Sequence, residues 1–227
     1  MTDDLALGID LSHHQDPRRI AWGELARSHS FVIVRACYGS KRDRLAYEHV
    51  NRARAVGLAV GLYLFMRPTE DAVSQWGTFA DVASSVRLGP GDLWPALDLE
   101  DDPPVTLGPE HSETARTLAD ALAGRWGGCL LYGNANDFAK LGNPAWTEQH
   151  AIWTAHWTQA SEPRCPPGRD WRIWQRRVSV MPSIYSGKLD QNVARLPLPT
   201  ILDPDQERRR DEGVIATTLL FTGKPDA

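Results

Sequence analysis

Residues 93–100 read Leu-Trp-Pro-Ala-Leu-Asp-Leu-Glu, a short apolar run that ends in two carboxylates separated by one leucine. Successive side chains of a strand point to opposite faces, so Asp98 and Glu100 are expected on one face and the neighbouring leucines on the other. Asp101 and Asp102 are followed by Pro103 and Pro104, and paired prolines cannot continue a strand, which predicts a loop there. Neighbouring carboxylates change one another's proton affinity, which suits acid/base chemistry. The alternative is an acidic turn that only solubilises the strand end.

Composition narrows the class of protein. The chain has 227 residues, 42% of them hydrophobic, and a net charge of −4. The charge argues against nucleic-acid binding, and no apolar run is long enough to cross a membrane. The start, Met-Thr-Asp-Asp, lacks the pattern of a secretory signal, which predicts synthesis in the cytoplasm. The three cysteines are widely spaced and without Cys-x-x-Cys, so we expect reduced thiols, no zinc site and no metal at Cys37, Cys129 and Cys165.

Strand and helix patterns alternate along most of the chain. Apolar and β-branched runs predict strands, and apolar residues spaced by three and four predict helices. The predicted strands cover 5–12, 31–37, 59–65, 93–100, 129–132, 151–157 and 171–175, and the predicted helices cover 20–28, 45–56, 72–86 and 112–126. This alternation implies parallel pairing with right-handed crossovers. Because no Gly-x-Gly-x-x-Gly follows the first strand, an α/β fold of the TIM-like (β/α) barrel type is favoured over a dinucleotide-binding sheet.

The predicted strands bring acids and aromatic rings to one rim. Active sites of parallel α/β barrels lie at the carboxyl ends of the strands. The residues expected there are Asp10, Tyr63, Phe65, Asp98, Glu100, Tyr132, Trp153, Gln175 and Asp190. Glycoside hydrolysis needs an acid for the leaving oxygen and negative charge beside an oxocarbenium-like centre, and this set suits it.

Eight blocks of residues between about 7 and 193 resemble glycoside hydrolase family 25, the Chalaropsis-type lysozymes, in the family's order. The blocks are Gly8-Ile9-Asp10-Leu11-Ser12, 51–58, Gly61-Leu62-Tyr63-Leu64-Phe65, Leu97-Asp98-Leu99-Glu100, Leu131-Tyr132, Ile152-Trp153, Ile173-Trp174-Gln175 and Leu189-Asp190-Gln191-Asn192. The resemblance implies a barrel that is irregular in its later helices. It also implies Glu100 as the proton donor, with Asp98, Asp10 and Asp190 as the surrounding carboxylates.

The resemblance further implies a muramidase, a phage or bacterial lysin. Such an enzyme cleaves the β-1,4 bond between N-acetylmuramic acid and N-acetylglucosamine in bacterial peptidoglycan, at the cell wall and without a cofactor. Because Asp98 and Glu100 are expected on one strand face, we predict that Asp98 assists the substrate's own 2-acetamido group and that the outcome is retention.

The chain also departs from the family. Tyr38 stands where the family usually has a glutamate, so we count it among the substrate-binding residues; Leu64 replaces a usual histidine and Arg176 a usual tyrosine. These changes keep two alternatives open, which are a weakened wall-binding domain and a structural component of a phage particle.

The composition changes near residue 197, where prolines are followed by a run of charged residues. We therefore predict a catalytic barrel over 1–196 and an extension over 197–227 that packs on the barrel or docks a partner chain.

Overall fold

The computed structural model describes residues 5–202, and its centre is a closed barrel of eight strands. A ninth, two-residue strand pairs only with β2, outside the ring. The strands are β1 (Leu5–Leu11), β2 (Phe31–Tyr38), β3 (Lys41–Arg42), β4 (Ala59–Phe65), β5 (Ala96–Asp98), β6 (Leu130–Gly133), β7 (Ala151–Ala155), β8 (Trp171–Met181) and β9 (Tyr185–Arg195). The pairing of β1 with both β2 and β9 closes the ring, which confirms the predicted barrel.

Five α-helices within residues 5–202 cover the outside of the barrel, and the last of them, with 6 residues, is the shortest. They are α1 (Trp22–Ser28), α2 (Ala46–Ala55), α3 (Ala72–Ser85), α4 (Ser112–Trp126) and α5 (Ala135–Lys140). The predicted end of α4 is confirmed, because Gly127 adopts the left-handed conformation with φ 75° that favours glycine. Within residues 5–202 no α-helix separates β7 from β8 or β8 from β9, so the expected irregularity of the later helices is also confirmed.

The last strand reverses the predicted direction. Within the ring, the neighbours from β1 through β8 pair in parallel, whereas β9 is antiparallel to both β8 and β1. The short β3, outside the ring, is also antiparallel to its one partner, β2. The expectation of an all-parallel arrangement is therefore wrong for β9. Only the residues 182–184 join it to β8, and a parallel crossover needs a dozen residues or more, so the pair forms a hairpin. The strand predicted over 171–175 accordingly continues to Met181.

The core has two layers, inside the barrel and between barrel and helices. Ala96 packs in the inner layer, whereas Leu97 and Leu99 pack in the outer layer, as the alternation predicts. Strand β5 begins later than predicted because Pro95 precedes it, and it ends at Asp98, two residues before the predicted end. The Trp94 N–H donates instead to the Pro199 carbonyl at 2.8 Å.

The described start of the predicted extension lies at the amino end of the parallel strands. Leu198 packs against the inner layer, and the Ile201 N–H donates to the Asp92 carbonyl at 2.7 Å. The rest of the extension, 203–227, lies outside the described residues, so the boundary at 196 stays a prediction. No helix within 5–202 is long and apolar enough to span a membrane. The three cysteines, all in that range, are free thiols.

Candidate active site

The predicted acids meet in one cavity of about 310 Å³ at the carboxyl end of the parallel strands. Asp10 is the penultimate residue of β1, Asp98 ends β5, and Glu100 follows two residues later. All predicted site residues except Tyr38 line this cavity, namely Asp10, Tyr63, Phe65, Asp98, Glu100, Tyr132, Trp153, Gln175 and Asp190. Their positions are thus common to one site, and their individual roles stay predictions.

Asp190 lines the cavity from the middle of a strand and not, as predicted, from a strand's carboxyl end. It lies inside β9, where it stands directly opposite Asp10 of β1 in the antiparallel register. The expectation that every acid ends a parallel strand is therefore wrong for Asp190. Cross-strand pairs of like charge are unfavourable, so each carboxylate disfavours ionisation of the other.

Two amide side chains hold Asp10. Gln175 Nε2 donates to Asp10 Oδ2 at 3.0 Å, and Asn192 Nδ2 donates to the same oxygen at 2.8 Å. The amide oxygens are engaged by groups that donate to them: Trp153 Nε1 donates to Asn192 Oδ1 at 2.8 Å, and Tyr132 OH donates to Gln175 Oε1 at 3.0 Å. An indole N–H can only donate, so Asn192 must turn its NH₂ toward Asp10.

The pKa of Asp10 nevertheless lies well above its usual value. Burial is the largest cause and the charge of Asp190 the next, whereas the amide hydrogen bonds from Asn192 and Gln175 act in the opposite direction. The surroundings of Asp10 therefore fix its orientation and limit its ionisation.

Asp98 is a buried carboxyl group that lacks a full set of partners. Its side chain is almost entirely enclosed, and Oδ1 has no hydrogen-bond partner within the described residues. Burial first, and then the charges of Glu100 and Asp10, raise the pKa of Asp98 well above its usual value, while Arg35 opposes this. Buried polar atoms are normally satisfied, so this oxygen is placed to accept from a bound molecule.

Glu100 has the protonation behaviour of a general acid. Burial, followed by the charges of Asp137, Asp190 and Asp101, raises its pKa to about 7. A carboxyl group with that pKa is partly protonated at neutral pH and can give its proton to a leaving oxygen.

Tyr38 lies next to this cavity and not in it. Its ring centroid is 4.9 Å from that of Phe65, its hydroxyl donates to Asp102, and it lines a neighbouring cavity. Of the other predicted site residues, Tyr38 thus packs against Phe65, but it lines the neighbouring cavity and not the one that holds the acids.

Sequence reasoning missed several residues at the site, and three of them bear directly on its acids or on the groups that hold them. Asn192 belongs to the Leu-Asp-Gln-Asn block and could have been found there. Trp157 ends the predicted strand 151–157; it is 65% exposed and its Nε1 donates to Gln175 Oε1 at 3.0 Å. Asp137 gave no signal in the sequence, because its charge reaches Glu100 only through the fold.

The cavity that holds the four acids continues into an adjoining one of about 440 Å³, which shares Glu100, Tyr132 and Trp157 with it. The two form a groove across the rim in which an exposed indole face is available to a sugar ring. Within 5–202 no group of three or more His, Cys, Asp or Glu residues is arranged to hold a metal ion.

Comparisons with known proteins agree with this geometry. The sequence profile of the glycosyl hydrolases family 25 matches residues 9–179, whereas no curated protein matches the sequence significantly. The bacterial lysozyme from Streptomyces coelicolor is 25% identical, with a TM-score of 0.72 over 82% of this chain and 90% of that one.

Two further solved structures share the fold. The family 25 lysozyme from Aspergillus fumigatus is 18% identical, with a TM-score of 0.71 over 91% of this chain and 98% of that one. The catalytic domain of an endolysin from bacteriophage P40 of Listeria monocytogenes is 19% identical, with a TM-score of 0.69 over 86% of this chain and 96% of that one.

Proposed function

The chain belongs to family 25 of the glycosyl hydrolases and is a peptidoglycan hydrolase, and we propose that it is an N-acetylmuramidase. It cleaves the β-1,4 bond between N-acetylmuramic acid and N-acetylglucosamine. The observation that carries the proposal is Glu100, whose pKa of about 7 and position among three further carboxylates equip it to protonate the leaving oxygen.

In the proposed mechanism the substrate supplies the nucleophile. The oxygen of the muramic 2-acetamido group attacks C1 while the bond from C1 to the leaving oxygen breaks, and Glu100 gives that oxygen its proton. Asp98 orients and polarises the acetamido group, and its unpartnered Oδ1 is free to accept the amide N–H. Glu100, now ionised, then takes a proton from the water that opens the cyclic intermediate, and the configuration is retained.

Asp10 and Asp190 have a supporting role in this mechanism. They face each other across β1 and β9, so ionisation of one of the two places a single negative charge near the carbon that becomes cationic. The amides of Gln175 and Asn192 keep Asp10 in place.

The binding-only alternative is not favoured. A domain that only holds glycan gains nothing from four buried or half-buried carboxylates that raise one another's pKa, because each costs free energy to bury. The departures at Leu64 and Arg176 leave these four acids in place.

The test is the identity of the new reducing end. Purified peptidoglycan is digested, reduced with borohydride and analysed by mass spectrometry, with Glu100→Gln as the control. We expect reduced muramic acid from the wild type and a loss of rate of roughly 10²–10⁴-fold in the variant, whose amide has no proton to give. Reduced glucosamine ends, or equal rates for the two proteins, would contradict the proposal.

The bacterial cell wall is thus the proposed place of action. Synthesis in the cytoplasm, the route to the wall and the docking of a partner chain through 197–227 stay predictions.

A further inference from the structure

A third cavity, of about 400 Å³, opens beside the catalytic one and is lined mainly by basic residues. Its walls hold the basic side chains of Arg35, Lys41, Arg42 and Arg44, and Asp43 is the one carboxylate among its lining residues. We call it the basic cavity. Its charge is unexpected in a chain whose net charge is −4.

The single carboxylate of the basic cavity is already engaged. Asp43 Oδ2 accepts from Arg35 Nε at 3.0 Å and from the backbone N–H of His13 at 2.8 Å. Asp43 Oδ1 accepts from the backbone N–H of Leu45 at 3.0 Å. Asp43 is fully buried in these contacts and offsets the charge of Arg35. The exposed basic residues of the segment 41–44 are therefore not neutralised by it.

Two of those basic side chains are available to a ligand. Arg42 Nη2 binds Asp81 Oδ2 at 2.9 Å. Lys41 and Arg44, in contrast, have no hydrogen bond or ion pair from their side chains to any residue of 5–202, although both line the basic cavity.

His13 is a further polar side chain that lines the basic cavity. Burial lowers the pKa of His13 most, and the charges of Arg35 and His14 lower it further. A neutral histidine among arginines can donate a hydrogen bond to an anion without adding to their mutual repulsion.

The basic cavity is continuous with the catalytic one. Arg35 and His14 line both of them, so a molecule in the groove can extend a substituent past these two side chains. The four acids repel an anionic substituent and the basic cavity attracts it, which gives the bound chain a preferred orientation.

We propose that the basic cavity binds a carboxylate of the peptide stem that muramic acid carries, with Lys41 and Arg44 as its charged contacts. The inference rests on the proposed function, because the stem is attached to the sugar whose glycosidic bond is cleaved. A stem residue spans at most about 3.3–3.6 Å, so the first few residues of the stem extend over the distance of a neighbouring cavity. Paired guanidinium and ammonium groups suit a carboxylate in this position.

The test compares two double variants that remove the same charge. Lys41→Gln with Arg44→Gln alters the basic cavity. Arg27→Gln with Arg116→Gln is the matched control, since both arginines are exposed on α1 and α4 and line none of the cavities described above.

Both proteins and the wild type are assayed on a soluble tetrasaccharide of two disaccharide repeats, with stem carboxylates either free or converted to amides. On the free carboxylates we expect the KM of the basic-cavity variant to rise about tenfold with kcat within about twofold, as the loss of a charge-assisted hydrogen bond predicts. Amidation is expected to raise the wild-type KM by a similar factor, so that the wild type and the basic-cavity variant have similar KM values on the amidated substrate.

Three results would overturn the proposal: an unchanged KM in the basic-cavity variant, an equal rise in the control variant, or a rise that persists on the amidated substrate. A fourth is a difference seen only on walls that carry a phosphate polymer and lost when the polymer is stripped, which would assign the cavity to phosphate. If the wild type cleaves neither tetrasaccharide, the proposed function is contradicted. If all three proteins cleave both tetrasaccharides equally well, only the proposal of a carboxylate subsite is contradicted.

Discussion

Glu100 owes part of its raised pKa to Asp137, a residue of α5 whose own hydrogen bond is structural. Asp137 Oδ2 accepts from the Asn134 N–H at 3.0 Å at the start of the helix. An asparagine at 137 can keep this hydrogen bond through its oxygen while it removes the charge. The two roles of Asp137 can therefore be separated by experiment.

We expect Asp137→Asn to move the alkaline limb of the kcat/KM profile to lower pH. Glu100 must be protonated to act as an acid, so activity falls as pH rises through its pKa of about 7. Removal of a neighbouring negative charge favours the carboxylate and lowers that pKa. Glu113 is an exposed carboxylate on α4, so Glu113→Gln is the control and should leave the alkaline limb in place. An unmoved limb in Asp137→Asn would argue against Glu100 as the titrating acid.

Asp98 offers a prediction about the substrate's own chemistry. If the muramic acetamido group is the nucleophile, peptidoglycan with de-N-acetylated muramic acid is expected to be cleaved at least 10²-fold more slowly. The matched substrate is de-N-acetylated on glucosamine instead and should lose far less. Initial rates on the two polymers decide the point, and a covalent glycosyl ester trapped on Asp98 or Asp10 would contradict the mechanism.

At this scale the sequence predicts the acids well and their environment poorly. Asp10, Asp98 and Glu100 follow from strand ends, a local property of the chain. The orphaned Oδ1 of Asp98 and the effect of Asp137 on Glu100 depend on atoms brought together from distant segments. Tyr38 illustrates the same limit. The family's pattern assigns its position to the substrate-binding site, whereas in the structure it lines the neighbouring cavity.

Strand β1 depends on a glycine at a close approach. A Cβ at Gly8 would overlap the ring of Phe31, which is fully buried on β2. Gly23 in α1 is the opposite case, because a Cβ there has nothing within 4 Å.

We therefore expect Gly8→Ala to destabilise the protein by about 1–3 kcal/mol and Gly23→Ala to stabilise it by up to about 1 kcal/mol. Chemical denaturation of the two variants measures both effects. Equal free energies of unfolding for Gly8→Ala and Gly23→Ala would contradict the prediction, because they would mean that the Phe31 ring moves away from the new methyl group without loss of stability.

Strand β9 shows why one element escaped prediction. Its direction follows from the three-residue link after Met181, but the outer half of β8 carries Arg176 and Arg177 and is largely half-exposed. Without a buried face the alternation that marks a strand is weak, so the pattern ended at Gln175. The buried strands β2 and β4, by contrast, were predicted to within a residue.

The whole protein is expected to become less stable as pH rises, because the carboxyl groups of the candidate active site are buried. Burial is the largest cause of the raised pKa values of Asp10, Asp98, Glu100 and Asp190. Groups with a raised pKa stabilise the fold below their unfolded values near pH 4 and lose that contribution as pH rises through the folded values.

We expect the Tm to fall by several degrees between pH 5 and pH 8. Glu100→Gln should remove part of the fall, because its shift from 4.5 to about 7 corresponds to about 3 kcal/mol. Calorimetry of both proteins across this range is the measurement, and Glu113→Gln is the control. Parallel curves for wild type and Glu100→Gln would show that the unfolded state shares the shift.

The reversed last strand has a practical consequence for fusion and display. Leu5 of β1 pairs with Arg195 of β9, so the barrel's first and last residues are neighbours at the pole opposite the groove. A reporter or anchoring module joined directly before Leu5 would therefore start at the pole away from the open rim. The same adjacency would let a short linker join the start of β1 to the end of β9, with new termini opened in an exposed loop, and the ring of strands would stay intact.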